Sequence, residues 1–424
     1  MKLTRALATA LAVVAAAVTG VTAAAAAVPP PVQGTLQRHD ITDVYVSGLS
    51  SGGFMANQLH VAHSTVFRGA GIFAAGAYRC AQGNLGYALN ACMDTLLPRR
   101  TPAELAAETR SLSSAGRIDP VSGLAGSRVY LYHGTADGTV EQPVNDDLAA
   151  YYRLLGADVV YDSDSGAGHA WVSPLGPNSC SSTASPYVNR CGDGDPVGDM
   201  LGHLFGAAPA PAAESLTGRL VRFDQGPYVP GGDPAAVSMG GEGFAYVPRD
   251  CGSGPCRLMV ALHGCYQYYG LVGDALMETA YLNEYADTNR MIVLYPQATT
   301  ASDNPRGCWN WWAYGGDTAY AEKAGRQVTA LFAMVRALGG ADGGEPTATP
   351  TVTPTATPTA TPTVTPTVTP ACVTASNYAH VVAGRAYHQA GFAHARGSGQ
   401  NLGLWNVHVT SSIRETGPGH WVRC

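Results

Sequence analysis

The chain has 424 residues, of which 46% are hydrophobic and 13% are charged. This is enough apolar sequence for a sizeable core and for more than one domain. The formal net charge is −6 and no basic block is present, which argues against a nucleic-acid partner.

The N-terminus has the pattern of a secretory signal peptide. Lys2 and Arg5 precede an apolar run at 6–18, and five alanines follow at 23–27. A charged start, a short apolar run and a small-residue cleavage zone define such a leader. The alternative is a membrane anchor, for which the run is short. We predict a signal peptide over 1–27, a secreted extracellular protein and no membrane attachment.

Ser50 lies in the segment Gly48-Leu-Ser-Ser-Gly52, the only G-x-S-x-G of the sequence. A strand pattern at 41–47 precedes it, and a helix start at 53–60 follows it. Together these features predict a nucleophile elbow, in which glycines allow a sharp turn and the serine hydroxyl is exposed above a sheet. Ser51 would then offer its backbone N–H to a developing oxyanion. A plain glycine-rich turn is the alternative.

Strand and helix patterns alternate through the remainder of the region up to residue 344. We predict strands at 128–133, 158–161, 257–262 and 291–295, and helices at 144–155 and 321–338. Such alternation predicts an α/β fold with a mostly parallel sheet. An Ala- and Pro-rich stretch at 207–213 interrupts the pattern.

A nucleophilic serine needs a base, and the base needs an orienting carboxylate. In α/β-hydrolases the acid follows the serine along the chain and the histidine comes last. We expect the acid to be Asp137, which follows the strand at 128–133. An ordinary Asp-Gly turn is the alternative reading of this residue. Asp162 and Asp164 are rivals, but they lie very close in sequence to the best histidine candidate.

That histidine is His169, in the Gly-rich segment Ser-Gly-Ala-Gly-His-Ala-Trp at 165–171. It follows the next predicted strand, as a catalytic histidine on a loop should. His60 and His63 fall on the helix after the elbow, where surface or packing roles are expected. His203 is the main competitor.

A second oxyanion donor is expected from a loop that follows another strand. The segment His263-Gly-Cys265 ends such a strand, so the N–H of Cys265 would join that of Ser51. His263 itself is expected to hold this loop by hydrogen bonding. The loop lies downstream of the nucleophile, acid and base, whereas in the usual hydrolase order it lies upstream. A circular permutation, with 207–213 joining the ancestral ends, resolves this order.

Three tryptophans follow Cys308 in the segment Trp309-Asn-Trp-Trp312. If Cys265 pairs with Cys308, these side chains lie beside the oxyanion loop. Trp309 and Trp311 could then form an apolar wall for an acyl chain. The alternative is a core position, which we expect for at least one of the three.

The ten cysteines fit an oxidising compartment and fall in close pairs along most of the chain. Sequence does not fix their connectivity, and we predict nearest-neighbour pairing. The expected pairs are Cys80 with Cys92, Cys180 with Cys191, Cys251 with Cys256, Cys265 with Cys308, and Cys372 with Cys424. No zinc-type Cys or Cys/His spacing is present, so no metal site is expected.

Residues 346–370 repeat Thr-Ala/Val-Thr-Pro units, which favour an extended linker. We divide the chain into a catalytic domain at 28–344, a Thr/Pro-rich linker at 345–371 and a C-terminal domain at 372–424. The C-terminal domain is small and is expected to be closed by its two cysteines. Its aromatic residues serve either a binding surface or its own core; they include Tyr378, Tyr387, Trp405 and Trp421.

The segments GLSSGG, HGTADGTV, GAGHAW, LHGC and CWNWW together resemble the secreted poly(3-hydroxybutyrate) depolymerases, especially those with an N-terminally placed lipase box. The resemblance covers nearly the whole mature chain, including the linker and the C-terminal polymer-binding domain. It implies a circularly permuted α/β-hydrolase domain that cleaves polyester through a hydroxyacyl-enzyme and releases short oligomers.

By position, the resemblance implies Ser50 as nucleophile, His169 as base and then acid, and Asp137 as its orienting partner. The family's cleft aromatic corresponds to Trp309 or Trp311, and spacing does not decide between them. No metal or organic cofactor is implied. We expect a monomer whose partner is an insoluble polyester.

Two other functions fit the sequence. A secreted feruloyl or acetylxylan esterase could have the same hydrolase fold and linker, and adsorption to cellulose instead of polyester would favour it. A non-catalytic binding protein with a degenerate hydrolase fold would fail to turn over any short-chain ester.

Overall fold

The computed structural model describes residues 28–341, 372–389, 392–404, 409–417 and 419–424. The predicted signal peptide at 1–27 and the predicted linker at 345–371 lie outside the described residues. No helix in the described ranges has both the length and the apolar character needed to cross a bilayer.

Residues 28–341 form strands and helices in alternation. The strands are β1 Val32–Gln33, β2 Ile41–Leu49, β3 Phe67–Phe73, β4 Arg128–Tyr132, β5 Asp158–Asp162, β6 Trp171–Val172, β7 Asn178–Ser179, β8 Val188–Arg190, β9 Arg219–Asp224, β10 Glu242–Val247, β11 Cys256–Leu262 and β12 Met291–Tyr295. The helices are α1 Ser51–Ala62, α2 Leu85–Ala91, α3 Pro102–Ser114, α4 Gln142–Leu154, α5 Pro196–Phe205, α6 Tyr269–Val272, α7 Ala275–Thr279, α8 Leu282–Asn289 and α9 Arg326–Ala337.

Nine of these strands form one sheet in the order β1-β9-β10-β12-β11-β2-β3-β4-β5. The pairs from β12 through β11, β2, β3 and β4 to β5 are all parallel, and β10 is antiparallel to both of its neighbours. The central strands read as continuous apolar runs because helices cover both faces of the sheet. All five residues of β12, for example, are buried. The predicted α/β fold with a mostly parallel sheet is confirmed.

The central strand β2 begins near residue 41 but lies directly beside β11, which begins near residue 256. The elbow at the end of one strand and the proposed oxyanion loop at the end of the other therefore meet at the same sheet edge. This neighbourhood is what a circular permutation of the usual order would create. The permutation itself stays a prediction.

All of the predicted helices differ at a boundary, and α4 spans Gln142–Leu154 where 144–155 was predicted. Helix α1 begins immediately at Ser51, and α9 begins at Arg326 and not near 321. The residues before α9 form turns, and a Cβ on Gly325 would be too close to the carbonyls of Ala319 and Tyr320. The apolar pattern around 321 therefore reflects burial of a turn and not a helical face.

All five disulfides form with the nearest-neighbour pairing that the sequence predicted. They join Cys80–Cys92, Cys180–Cys191, Cys251–Cys256, Cys265–Cys308 and Cys372–Cys424. One of them, Cys265–Cys308, ties the loop after β11 to the tryptophan-rich segment, as the sequence argument required.

The described C-terminal residues form two small antiparallel sheets and one helix. Their elements are β13 Val373–Ser376, α10 Asn377–Val382, β14 Ala386–Gln389, β15 Phe392–Ala395, β16 Asn401–Leu404, β17 Thr410–Gly417 and β18 His420–Arg423. Trp421 packs against a small core that includes Ala393 and Ile413, whereas Tyr387 is exposed. Trp405 and the side chain of Tyr378 lie outside the described residues.

Candidate active site

Ser50 occupies a strained turn between β2 and α1. Its backbone angles are φ 56° and ψ −121°, in a region that side chains with a Cβ rarely adopt. The two motif glycines make this turn possible. A Cβ on Gly48 would collide with the carbonyl of Gly52, and a Cβ on Gly52 would collide with the carbonyls of Leu262 and His263. The motif thus places Ser50 at the end of β2 and presses the start of α1 against the end of β11.

The loops after β4 and β5 carry the proposed acid and base, and backbone hydrogen bonds join the two loops. These bonds run from the Thr135 N–H to the Ser165 carbonyl at 2.7 Å and from the Ala136 N–H to the Ala167 carbonyl at 3.0 Å. Asp137 and His169 come at the ends of the joined segments. Because β4 and β5 are parallel neighbours, both residues emerge at the same edge of the sheet as Ser50.

His169 and Asp137 form a short hydrogen bond. The Nδ1 of His169 lies 2.7 Å from Oδ2 of Asp137. The other carboxylate oxygen, Oδ1, accepts the backbone N–H groups of Thr139 at 2.8 Å and Val140 at 3.0 Å. Both side chains are almost fully buried. The carboxylate is therefore held on both oxygens, with one of them committed to the imidazole.

Burial alone would raise the pKa of the Asp137 carboxyl. The hydrogen bond and charge of His169, together with the two backbone N–H donors, outweigh burial, so the pKa of Asp137 lies below its usual value. Asp137 is consequently ionised at neutral pH. It holds the Nδ1 proton of His169 in place and leaves Nε2 available as a base.

Ser50 and His169 line the same cavity. The other hydrogen bond of His169 within the described chain runs from its backbone N–H to Oγ1 of Thr183 at 3.0 Å. Nε2 of His169 and the Ser50 hydroxyl are not hydrogen-bonded to each other in this structure. Such contacts commonly tighten only when substrate is bound.

Two backbone N–H groups flank the serine. Ser51 is the first residue of α1, so its N–H has no partner within the helix. Cys265 lines the cavity, and no hydrogen bond from its N–H is found in the part of the chain that the structure describes. The Cys265–Cys308 disulfide and a hydrogen bond from the Trp309 N–H to Oγ of Ser51, at 3.3 Å, hold these segments together. Neither N–H group is thus committed to another described residue, so their role as the oxyanion donors stays a prediction.

His263 holds the loop that is predicted to carry the second oxyanion donor. Its Nε2 accepts the N–H of Ala298 at 3.0 Å, which leaves the proton on Nδ1, and Nδ1 donates to the Gly264 carbonyl at 2.7 Å. Burial lowers the pKa of His263 to about 4, although the bond to Gly264 opposes this shift. The ring is therefore neutral at neutral pH and occupied on both nitrogens, which suits a positioning role and not that of a base.

The cavity has a volume of about 330 Å³ and a mainly apolar lining. Its apolar and aromatic walls include Leu49, Phe54, Leu85, Ala88, Leu89, Met93, Val140, Tyr187, Tyr266, Trp311 and Trp312. An uncharged, mostly hydrocarbon ligand suits such a lining. Among the described residues, no group of three or more His, Cys, Asp or Glu side chains is arranged to hold a metal ion.

The two tryptophans expected in the cleft have different positions. Trp311 lines the cavity and stacks on Phe54, with ring centroids 3.9 Å apart. Trp309 is fully buried beside the ring of His263, 5.2 Å away between centroids, and does not reach the cavity. The expectation that Trp309 lines the cleft is therefore corrected: it is a core residue that supports the oxyanion loop.

Comparison with known proteins places the chain in a family. No family model matches it. It is 36% identical to the poly(3-hydroxybutyrate) depolymerase of Delftia acidovorans, in an alignment 467 positions long that covers 90% of this chain and 92% of the relative. This chain belongs to the poly(3-hydroxybutyrate) depolymerase family.

Further depolymerases agree with this assignment. The polyhydroxybutyrate depolymerase of Talaromyces funiculosus is 36% identical over 314 residues, which is 70% of this chain and 89% of the relative. A solved PHB depolymerase in complex with an R3HB trimer superposes with a TM-score of 0.65 at 33% identity, over 72% of this chain and 99% of that one. The PHB depolymerase structure from Penicillium funiculosum gives a TM-score of 0.64 at the same identity and coverage.

Several residues that line the cleft of this depolymerase-family chain were not predicted to do so from the sequence. Trp312 lines the cavity beside Trp311, and α2 contributes Leu85 and Leu89 to the lining. Trp312 was visible in the same tryptophan-rich segment. Helix α2 could have been suspected from the Cys80–Cys92 spacing, which closes a short loop, but nothing in that loop points to the cleft.

Proposed function

We propose that this protein is an extracellular serine esterase that hydrolyses poly(3-hydroxybutyrate)-type polyesters to short hydroxyalkanoate oligomers. The observation that carries the proposal is the Asp137–His169 hydrogen bond at the wall of an apolar cavity that Ser50 also lines. Membership of the depolymerase family gives the substrate class. The first relatives are all named as depolymerases of this polyester, so nothing favours the plant cell-wall esterase considered from sequence.

In the proposed mechanism the Ser50 oxygen attacks an ester carbonyl of the polymer while Nε2 of His169 takes the hydroxyl proton. The carbonyl oxygen becomes an oxyanion, which accepts hydrogen bonds from the N–H groups of Ser51 and Cys265. Donors fixed before the reaction stabilise this charge without reorganisation, and loss of one such donor typically costs a factor of about 10² to 10³ in rate.

Collapse of this intermediate breaks the ester C–O bond. His169 returns its proton to the alkoxide, so one product leaves as an alcohol and the other part of the chain remains as an ester of Ser50. Water then attacks this acyl-enzyme, with His169 as base once more, and the second product leaves as a carboxylic acid. Asp137 stabilises the imidazolium formed in each step and does not itself take the proton. The chemistry needs no metal and no organic cofactor.

The apolar walls explain how a neutral polyester is held. Trp311, which stacks on Phe54, lines the cavity that Ser50 also lines. The methyl and methylene groups of the polymer would contact its ring and the other apolar walls, and each buried CH₂ contributes about 0.8 kcal/mol. Ester groups need few polar partners other than the oxyanion donors.

Binding of a solid substrate is assigned to the C-terminal domain at 372–424, connected by the linker at 345–371. A solid polymer cannot diffuse into a cleft, and a tethered binding domain raises the local concentration of the catalytic domain at the surface. The exposed ring of Tyr387 supports a binding surface there. We further propose a secreted monomer, a location supported by the leader pattern at 1–27 and by five disulfides.

The experiment that tests this function compares clearing of poly(3-hydroxybutyrate) film, xylan and tributyrin by the purified enzyme. We expect clearing of the polyester film and none of xylan. Clearing of xylan with intact polyester would favour the cell-wall alternative, and no turnover of any ester would favour a binding protein.

Truncation after residue 344 should retain activity on soluble esters and lose adsorption to the polymer, whereas unchanged adsorption would refute the binding role of the C-terminal domain.

A further inference from the structure

One charged side chain at the cleft has no part in the mechanism above. Arg306 is the only arginine or lysine among the described residues that line the cavity. Its side chain is exposed, and no ion pair with a described residue satisfies its guanidinium. The guanidinium carbon lies 5.6 Å from the ring centroid of Tyr266, which also lines the cavity. This cation–π contact holds the guanidinium near a ring that belongs to the cavity lining.

Arg306 is carried on a well-anchored loop. The carbonyl of Arg306 accepts the N–H of Tyr266 at 2.8 Å. The buried side chain of Asn304 accepts the N–H of Cys308 at 3.0 Å and donates to its carbonyl at 2.7 Å. Cys308 in turn is bonded to Cys265, whose N–H is a proposed oxyanion donor. The backbone at Arg306 is thus held beside the segment that carries the proposed oxyanion donor.

The other charge in the cavity does not neutralise this cation. Asp303 also lines the cavity, but its Oδ2 accepts the backbone N–H of Gly315 at 2.5 Å. No ion pair between Asp303 and Arg306 is found in the described chain. The guanidinium therefore has no anionic partner among the described residues, whereas the repeating unit of the proposed substrate is neutral.

The chemistry of the products supplies an anion. Each hydrolysis creates a chain that ends in a carboxylate, and the carboxyl terminus of any chain lies on the alcohol side of the bond to be cut. A carboxylate at a chain end can accept two parallel N–H bonds from a guanidinium, a geometry that ammonium groups cannot provide. An internal polymer segment offers no such group.

We propose that Arg306 forms a subsite for the free carboxylate terminus of hydroxyacid oligomers, on the leaving-group side of Ser50. This inference rests on the proposed polyester hydrolysis and extends it. It makes the enzyme prefer oligomers with a free carboxylate over otherwise identical neutral ones, and it directs cleavage of released oligomers to bonds near their carboxyl end.

The test uses the full-length enzyme and two probes: the linear trimer of (R)-3-hydroxybutyrate as the free acid and the same trimer as its methyl ester. The readout is the ratio of kcat/KM for the acid to that for the ester. In Arg306→Gln we expect this ratio to fall about three- to tenfold, as for a partly exposed charged pair. Arg306→Lys should keep part of the preference. Added salt should reduce the wild-type ratio, because an exposed ion pair is screened.

Arg190→Gln is the matched control, since Arg190 is exposed and lies outside the cavity lining. Its ratio should equal that of the wild type. The proposal is overturned if Arg306→Gln has the wild-type ratio, which includes the case in which kcat/KM falls by the same factor on both trimers. If the wild-type enzyme does not clear polyester film, the proposed esterase function itself fails; if it clears film but shows no preference for the acid trimer, only the carboxylate subsite is refuted, so the two failures are distinguishable.

Discussion

Asp137→Asn is the most informative change in the proposed triad. Oδ1 of Asp137 already accepts the N–H groups of Thr139 and Val140, so the amide oxygen of an asparagine would remain at that position. Its NH₂ group would then face Nδ1 of His169. Because an NH₂ group can only donate there, the imidazole would be forced to accept on Nδ1 and to place its proton on Nε2. His169 would no longer be able to take the serine proton.

We expect kcat to fall by about 10⁴ while the fold is retained, since the substitution changes no side-chain volume and keeps the two backbone contacts. This corresponds to roughly 5.5 kcal/mol of lost transition-state stabilisation at 1.36 kcal/mol per factor of ten. The assay is steady-state hydrolysis of a short-chain p-nitrophenyl ester, with near-UV circular dichroism as a check of folding. Asp162→Asn is the control, because Asp162 was a rival candidate for the acid, and its kcat should stay close to that of the wild type. A folded Asp137→Asn enzyme with more than about a tenth of wild-type kcat would refute the tautomer argument.

Three further outcomes follow from the structure. Trp311→Ala should raise KM for soluble oligomers about 5- to 30-fold, because about 1–2 kcal/mol of apolar contact is lost; an unchanged KM in steady-state assays would show that the ring is not a substrate contact. Serine replacements at Cys265 and Cys308 together should lower kcat more than they raise KM, since an oxyanion donor loses its support; a pure KM effect measured on the same ester would contradict that role. Burial lowers the pKa of His60 to about 3 in the folded protein, whereas in the unfolded chain it stays near 6.5. As the pH falls below about 6.5, the unfolded chain binds a proton at His60 that the folded protein does not bind, so the free energy of unfolding decreases. His60→Phe should reduce the loss of unfolding free energy between pH 7 and pH 4.5 by about 2.5 kcal/mol in urea titrations, and an unaltered loss would mean that this ring is protonated in the folded state.

Local patterns predicted the parts of the site that depend on local geometry. The elbow at Ser50 follows from two glycines whose side-chain hydrogens occupy space that no Cβ could share. The hydrogen-bonded pair of Asp137 and His169, the proposed acid and base, follows from their places after parallel strands. These features lie within a few residues of the elements that position them, so the sequence contains the relevant information.

Features that depend on packing between distant segments were less accessible. Trp309 and Trp311 are two residues apart in an irregular segment, where no helical or strand period indicates which side chain faces the cleft. The contribution of α2 to the cavity wall depends on how the loop closed by Cys80–Cys92 folds back over the sheet edge. Arg306 belongs to no recognisable sequence motif. Its position at the cavity wall beside the Tyr266 ring is known only from the structure.

The assignment of Ser50 as nucleophile is tested most directly by covalent labelling. The enzyme would be treated with an organophosphate such as diethyl p-nitrophenyl phosphate until activity is lost, then digested and examined by mass spectrometry. We predict a single stoichiometric phosphoryl adduct on the peptide that contains Ser50, and no adduct or turnover in Ser50→Ala. A stoichiometric adduct on another residue, or clearing of polymer suspensions by Ser50→Ala, would contradict the account.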